Sequence, residues 1–102
     1  MENIEVIEKR IKEIKSELQL LGDLRPGSLT KQYKKPKEKE GAFYQLNYTH
    51  LMKSKSDYVK KEYVKEMKKQ TKEYKRMKAL VEEWILLGIK KSKIMMETKS
   101  RD

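Results

Sequence analysis

The chain has no cysteine, which excludes disulfides, thiolate zinc sites and a cysteine nucleophile. Among 102 residues it has one histidine, one tryptophan, one phenylalanine, two prolines and four glycines. The longest apolar run is Trp84 to Ile89, six residues with Gly88 among them. A membrane span needs about 20. The opening Met1-Glu2-Asn3-Ile4-Glu5 is acidic and lacks the apolar stretch of a signal peptide, so a cytoplasmic protein is expected. Apolar residues are scarce. Ala, Val, Ile, Leu, Met, Phe, Trp and Gly together number 35, where an ordinary domain has about 45–50%. A large core is therefore excluded. Leu, Ile, Val and Phe still number 22, which holds the chain just above the ~20% that marks disorder.

Charge fills the gap. Lysine and arginine number 26 against 16 acidic residues, a formal net charge of +10. Ala, Glu, Lys, Leu and Arg make up 51 residues, the composition of long helices and coiled coils. The charge is uneven along the chain. Residues 1–24 carry net −2, residues 25–41 net +4, residues 42–59 net +1 and residues 60–102 net +7. An acidic first segment is suited to lie against a basic last one.

The apolar spacing predicts a single domain of the α+β class, mostly α. Ile4, Ile7, Ile11, Ile14, Leu18 and Leu21 recur every three or four residues, an uninterrupted helical seam over 3–21. Asn3 can cap it, Glu2, Glu5 and Glu8 favour its positive end, and Gly22 can end it. Residues 22–41 read as a basic linker. Pro26-Gly27 is a turn signal within it, Ser28 can cap a short helical turn through Tyr33, and Lys34–Gly41 has no apolar residue. Residues 42–59 read as a β-hairpin, with Tyr44, Leu46 and Tyr48 on one face and Phe43 on the other. From 60 to 96 only the tolerated Gly88 interrupts a long basic helix, followed by a tail at 97–102. Its apolar stripe runs through Tyr63, Met67, Gln70, Tyr74, Met77, Val81, Trp84 and Leu87. The two helices are expected to pack antiparallel with the hairpin between them.

Several short motifs occur in order: Arg25-Pro26-Gly27-Ser28-Leu29, then Tyr33, Gly41-x-x-Tyr44-Gln45-Leu46-x-Tyr48, Tyr58-Val59, and Glu83-Trp84. Over residues 18–90 this resembles a family of short uncharacterised bacterial and archaeal proteins often met near transposase-like genes. Their pattern is a helix, an RPGSL-type turn, a GPYYQLSY-type strand, a return strand ending in YV, and a long helix with Glu-Trp near its middle. The resemblance implies that fold and no established activity. Members often carry a cysteine cluster between turn and strand. Lys34–Glu40 stands there instead, so no metal role is inherited.

The candidate functional residues are cationic. Lys61, Lys65, Lys68, Lys72 and Arg76 are spaced to form one stripe, and phosphates are the usual partner of such a stripe. The competing reading is a solvated helix face. Lys34, Lys35 and Lys37 form a basic arm beside Phe43, a candidate base-stacking ring. Arg25 can grip phosphate bidentately, or pair with Glu17 or Asp23 to fix the turn. Trp84, Ile85, Leu87, Ile89, Ile94 and Met95 lie beyond the reach of the first helix and suggest a homodimer seam. His50 lacks a companion ligand, so no metal is expected. A set of Ser28, His50 and Asp57, or the pair Glu82 and Glu83, lacks the spacing of a catalytic centre. The expectation is a non-enzymatic nucleic-acid-binding accessory protein without cofactor, contacting the DNA or RNA backbone. The alternative is a helical protein-interaction or homodimerisation module. A third reading lays residues 77–96 on an anionic membrane surface, which the acidic first segment opposes.

Overall fold

A computed structural model of the chain describes residues 3–99. Helix α1 spans Ile4–Gln19, strand β1 Ser28–Lys35, β2 Glu40–His50 and β3 Lys53–Val59. A single 3₁₀ turn at Lys61–Tyr63 leads into helix α2, Val64–Lys99. The protein is α+β, with a short first helix, a three-stranded antiparallel sheet and a 36-residue last helix. Of the tail expected at 97–102, residues 97–99 continue α2. Glu2 and residues 100–102 lie outside the described residues.

The chain divides into two compact units: residues up to Leu21 with those from Arg76 onward, and Gly22–Lys75. The first unit is helical. Asn3 caps α1, its side chain accepting from the Val6 N–H at 2.9 Å. Gly22 does not end this helix. Leu20 is the C-cap, in right-handed conformation, and the last turn tightens through Leu20 N–H to the Glu17 carbonyl at 3.1 Å. Ile7, Ile14, Leu80 and Leu87 form the core, with Ile11, Leu18, Trp84 and Ile94 packed against them. The seam on α1 is the one its spacing predicts. On α2 the stripe is rotated: Leu80 is buried at 1%, while Tyr63, expected on the stripe, is exposed.

The second unit is built on the sheet, in the order β1-β2-β3. Residues 28–35, expected as linker and helical turn, are a strand. Their ladder partner is β2, from Ser28 against Asn47 to Lys35 against Glu40. Backbone pairing needs no apolar side chains, and a half-exposed edge strand tolerates lysine. The loop expected to run to Gly41 shrinks to the four-residue turn 36–39. Pro36 sits there, where no ladder N–H is required.

Cross-strand partners share a face. Leu29, Leu46, Val59, Tyr44 and Tyr48 lie on the inner face, where Leu46 is 1% exposed. The outer face carries Ser28, Thr30 and Gln32 from β1 and Phe43, Gln45, Asn47 and Thr49 from β2. From β3 it takes Ser54, Ser56 and Tyr58. Leu51 and Met52 form the β2–β3 turn, both with positive φ (51° and 65°) and both highly exposed. Asn-Gly is the residue pair that such a two-residue turn favours.

Candidate nucleic-acid interface

All fourteen lysines of Gly22–Lys75 are exposed. Against them and Arg25 stand seven carboxylates, so this unit carries +8 of the net charge. Lys34 and Lys35 end β1, Lys37 lies in the following turn, and Lys53 and Lys55 alternate along β3. Lys61 is in the 3₁₀ turn, while Lys65, Lys68 and Lys72 project from the first turns of α2. Lys68 Nζ lies 5.7 Å from the centroid of the Tyr44 ring, within cation–π range.

Arg25 is held inside its own unit. Its Nη2 donates to Asp57 Oδ2, its guanidinium lies 4.4 Å above the Tyr48 ring, and its backbone N–H donates to the Gln70 carbonyl at 3.2 Å. The anionic partner is Asp57 on β3, not Glu17 or Asp23. Arg25 thus ties the segment before β1 to the sheet and to α2, while its Nε is buried without a hydrogen bond. Arg76 belongs to the helical unit, where Nη2 donates to Glu17 Oε1 at 3.1 Å. The expected stripe therefore divides. Lys61, Lys65 and Lys72 are exposed, Lys68 rests on a ring, and Arg76 is ion-paired.

Arg10 and Lys91 of the helical unit are also ion-paired. Arg10 grips Glu83 bidentately, Nε to Oε2 at 2.6 Å and Nη2 to Oε1 at 2.8 Å. That hydrogen bonding holds the Glu83 carboxyl below its ordinary range, against the opposing effect of desolvation, and raises Arg10. Lys91 pairs with Glu8 at 3.2 Å.

The expected dimer seam is also divided. Leu87 lies in the core at 8% exposure, so it is not part of an open apolar face. Trp84 and Ile94 pack against that core, and Lys15 Nζ lies 5.3 Å from the Trp84 ring centroid. Ile85, Ile89 and Met95 are exposed, as are Leu86 and Met96.

Phe43 lies on the outer sheet face with Tyr58, ring centroids 6.3 Å apart and planes tilted by 33°. A cavity of about 310 Å³ is bordered by these rings and by Lys31 and Lys61. Tyr58 and Lys31 escape sequence reasoning. Counting back from buried Val59 puts Tyr58 on the opposite face, but Lys31 is hidden in what reads as linker. Ser28 and Asp57 sit on opposite faces of the sheet, so Ser28, His50 and Asp57 do not converge. Among the described residues no cluster of metal-ligating side chains occurs, and no helix is long and apolar enough to cross a membrane. No protein-family model, curated protein or solved structure matches the chain.

Proposed function

We propose that the protein is a cytoplasmic, non-enzymatic binder of nucleic-acid backbone, acting through Gly22–Lys75 as an accessory of a mobile element. The observation that carries this is the distribution of charge. Fourteen exposed lysines sit in one unit with half as many carboxylates. Such a surface attracts a polyanion, releases its counterions and carries little base information. Lys61, Lys65, Lys68 and Lys72 with the Lys34, Lys35 and Lys37 arm are the contacts. Arg25 acts as the clamp that holds the sheet beneath them. The association with mobile elements rests on the family resemblance alone. The two helices of the other unit are taken as antiparallel. Supporting this, ion-pair partners on α2 fall from Lys91 through Glu83 to Arg76 as α1 advances from Glu8 through Arg10 to Glu17.

Fluorescence anisotropy of a labelled duplex across a salt series tests the reading. About seven phosphate contacts give a log–log slope near −6.3. Absence of binding at low salt would remove it. A second reading, homodimerisation through α2, is favoured by exposed Ile85, Leu86, Ile89 and Met96. Sedimentation showing only a 12.3 kDa species at high concentration would remove that one.

A further inference from the structure

Resting on the nucleic-acid reading above, we infer that the outer face of the sheet binds the unpaired bases of a single-stranded polynucleotide, with Phe43 and Tyr58 as the stacking rings. Four observations converge on this face. First, the rings are placed as a surface and not as a core. Tyr58 is 67% exposed and Phe43 is half-buried, yet the two stand 6.3 Å apart as one tilted platform. An aromatic ring left open on a sheet offers a π-face that any base can stack on.

Second, no strand position on this face is a carboxylate. The alternation places hydroxyl and amide side chains around the rings, with Lys34 at one end. Asp57, Glu40 and their partners fall on the other face. A polyanion laid across the sheet therefore meets hydrogen-bonding groups without like-charge repulsion. Third, the Asn47 amide is held in place. Asn47 Nδ2 donates to Thr30 Oγ1 at 3.0 Å, and Ser56 Oγ donates to Asn47 Oδ1 at 2.7 Å. This row of side chains spans all three strands in a fixed orientation, suited to reading base and sugar edges. Fourth, the cavity beside the rings has Lys61 on its border, while Lys31 and Tyr44 line it from the inner face. A base on the ring and a phosphate on the ammonium are the two halves of one nucleotide.

Stacking on a ring requires a base that is free of its duplex partner. The ligand is thus a single strand, and the lysines of α2 supply sequence-independent charge around it.

The test is a binding comparison with a labelled oligouridylate, an oligothymidylate and a duplex of equal length, each at two salt concentrations. The single strands should bind more tightly than the duplex. Phe43→Leu and Tyr58→Leu should each weaken single-strand binding on the order of five- to a hundredfold. Phe43→Tyr should restore it, and duplex binding and the salt slope should not move. Because Tyr58 is exposed, its variant should keep the parent's thermal midpoint. A parent that prefers duplex, or leucine variants that bind single strands like the parent, would overturn the platform and leave the backbone-charge reading standing. A parent that binds none of the three probes at low salt would overturn both.

Discussion

The two units of this chain hold their charges differently. The helical unit, built from α1 and the part of α2 beyond Lys75, has nearly balanced charge, and three of its cations face carboxylates. Arg10 faces Glu83, Arg76 faces Glu17, and Lys91 faces Glu8. The sheet unit carries the net charge, and its lysines face solvent. Composition alone averages the two into one basic protein. The division teaches that the +10 is not a uniform property of the surface. One unit uses ion pairs to tie two helices together, and the other leaves its charge available for a partner.

The sharpest way to break the helical side of the comparison is through its core. Ile14→Ala and Leu80→Ala should each cost about 2–5 kcal/mol, because both side chains are fully buried. Ile11→Ala should cost less, since Ile11 only packs against that core. Thermal or urea denaturation checks all three, and a loss below about 0.5 kcal/mol at Ile14 would contradict the packing described.

On the sheet side, changing Lys65, Lys68 and Lys72 together to Gln should lower the magnitude of the salt slope by about 2.7. Stability should fall by about 1 kcal/mol at most, the scale of the Lys68–Tyr44 contact. An unchanged slope would make these three lysines a solvated surface. A smaller and opposite effect is expected at the hairpin tip. Replacing Leu51 by Asn and Met52 by Gly should stabilise the protein by about 1 kcal/mol, because both positions have left-handed backbone. A lower melting midpoint would contradict this.

The finest test concerns Glu83. Its pKa lies below the ordinary 4.5 because Arg10 donates to the ionised form. Its contribution to stability is therefore complete above about pH 4.5 and is lost as pH falls through the lower folded-state value. Arg10→Gln should move the Glu83 titration upward, as followed by carboxyl NMR. A titration that stays where it was would assign the shift to some other group.

The helices were the legible part of the sequence. A spacing of three and four leaves α1 no other amphipathic solution, and Asn3 marks its start. The stripe on α2 was harder, because aromatic residues at Tyr63 and Tyr74 pull the inferred face away from Leu80. Strand β1 was not legible. Its eight residues offer only Leu29 and Tyr33 as apolar signals, and its stability comes from a ladder with β2 that local sequence does not encode. Of the proposed site, Phe43 and the lysines could be named in advance. Tyr58 could not, because its placement beside Phe43 depends on strand pairing across the sheet, and Lys31 lies in a segment that reads as linker. Arg25 stands out in a lysine-rich sequence, but its partner Asp57 lies 32 residues away and is not legible from spacing.

Gly27 has φ of 126°, and a Cβ there would stand 2.7 Å from the Asn47 carbonyl oxygen. It sits immediately before Ser28, the residue that opens β1 against Asn47. A strand with so few apolar residues has little to resist sliding along its neighbour, and a slip of one position would turn Leu29 outward and Thr30 inward. The fit of the bare glycine against Asn47 and Tyr48 marks where β1 must begin. Gly27→Ala should thus act on pairing fidelity, giving doubled amide resonances across residues 28–35. A single shifted set would show that the ladder keeps its alignment without that mark.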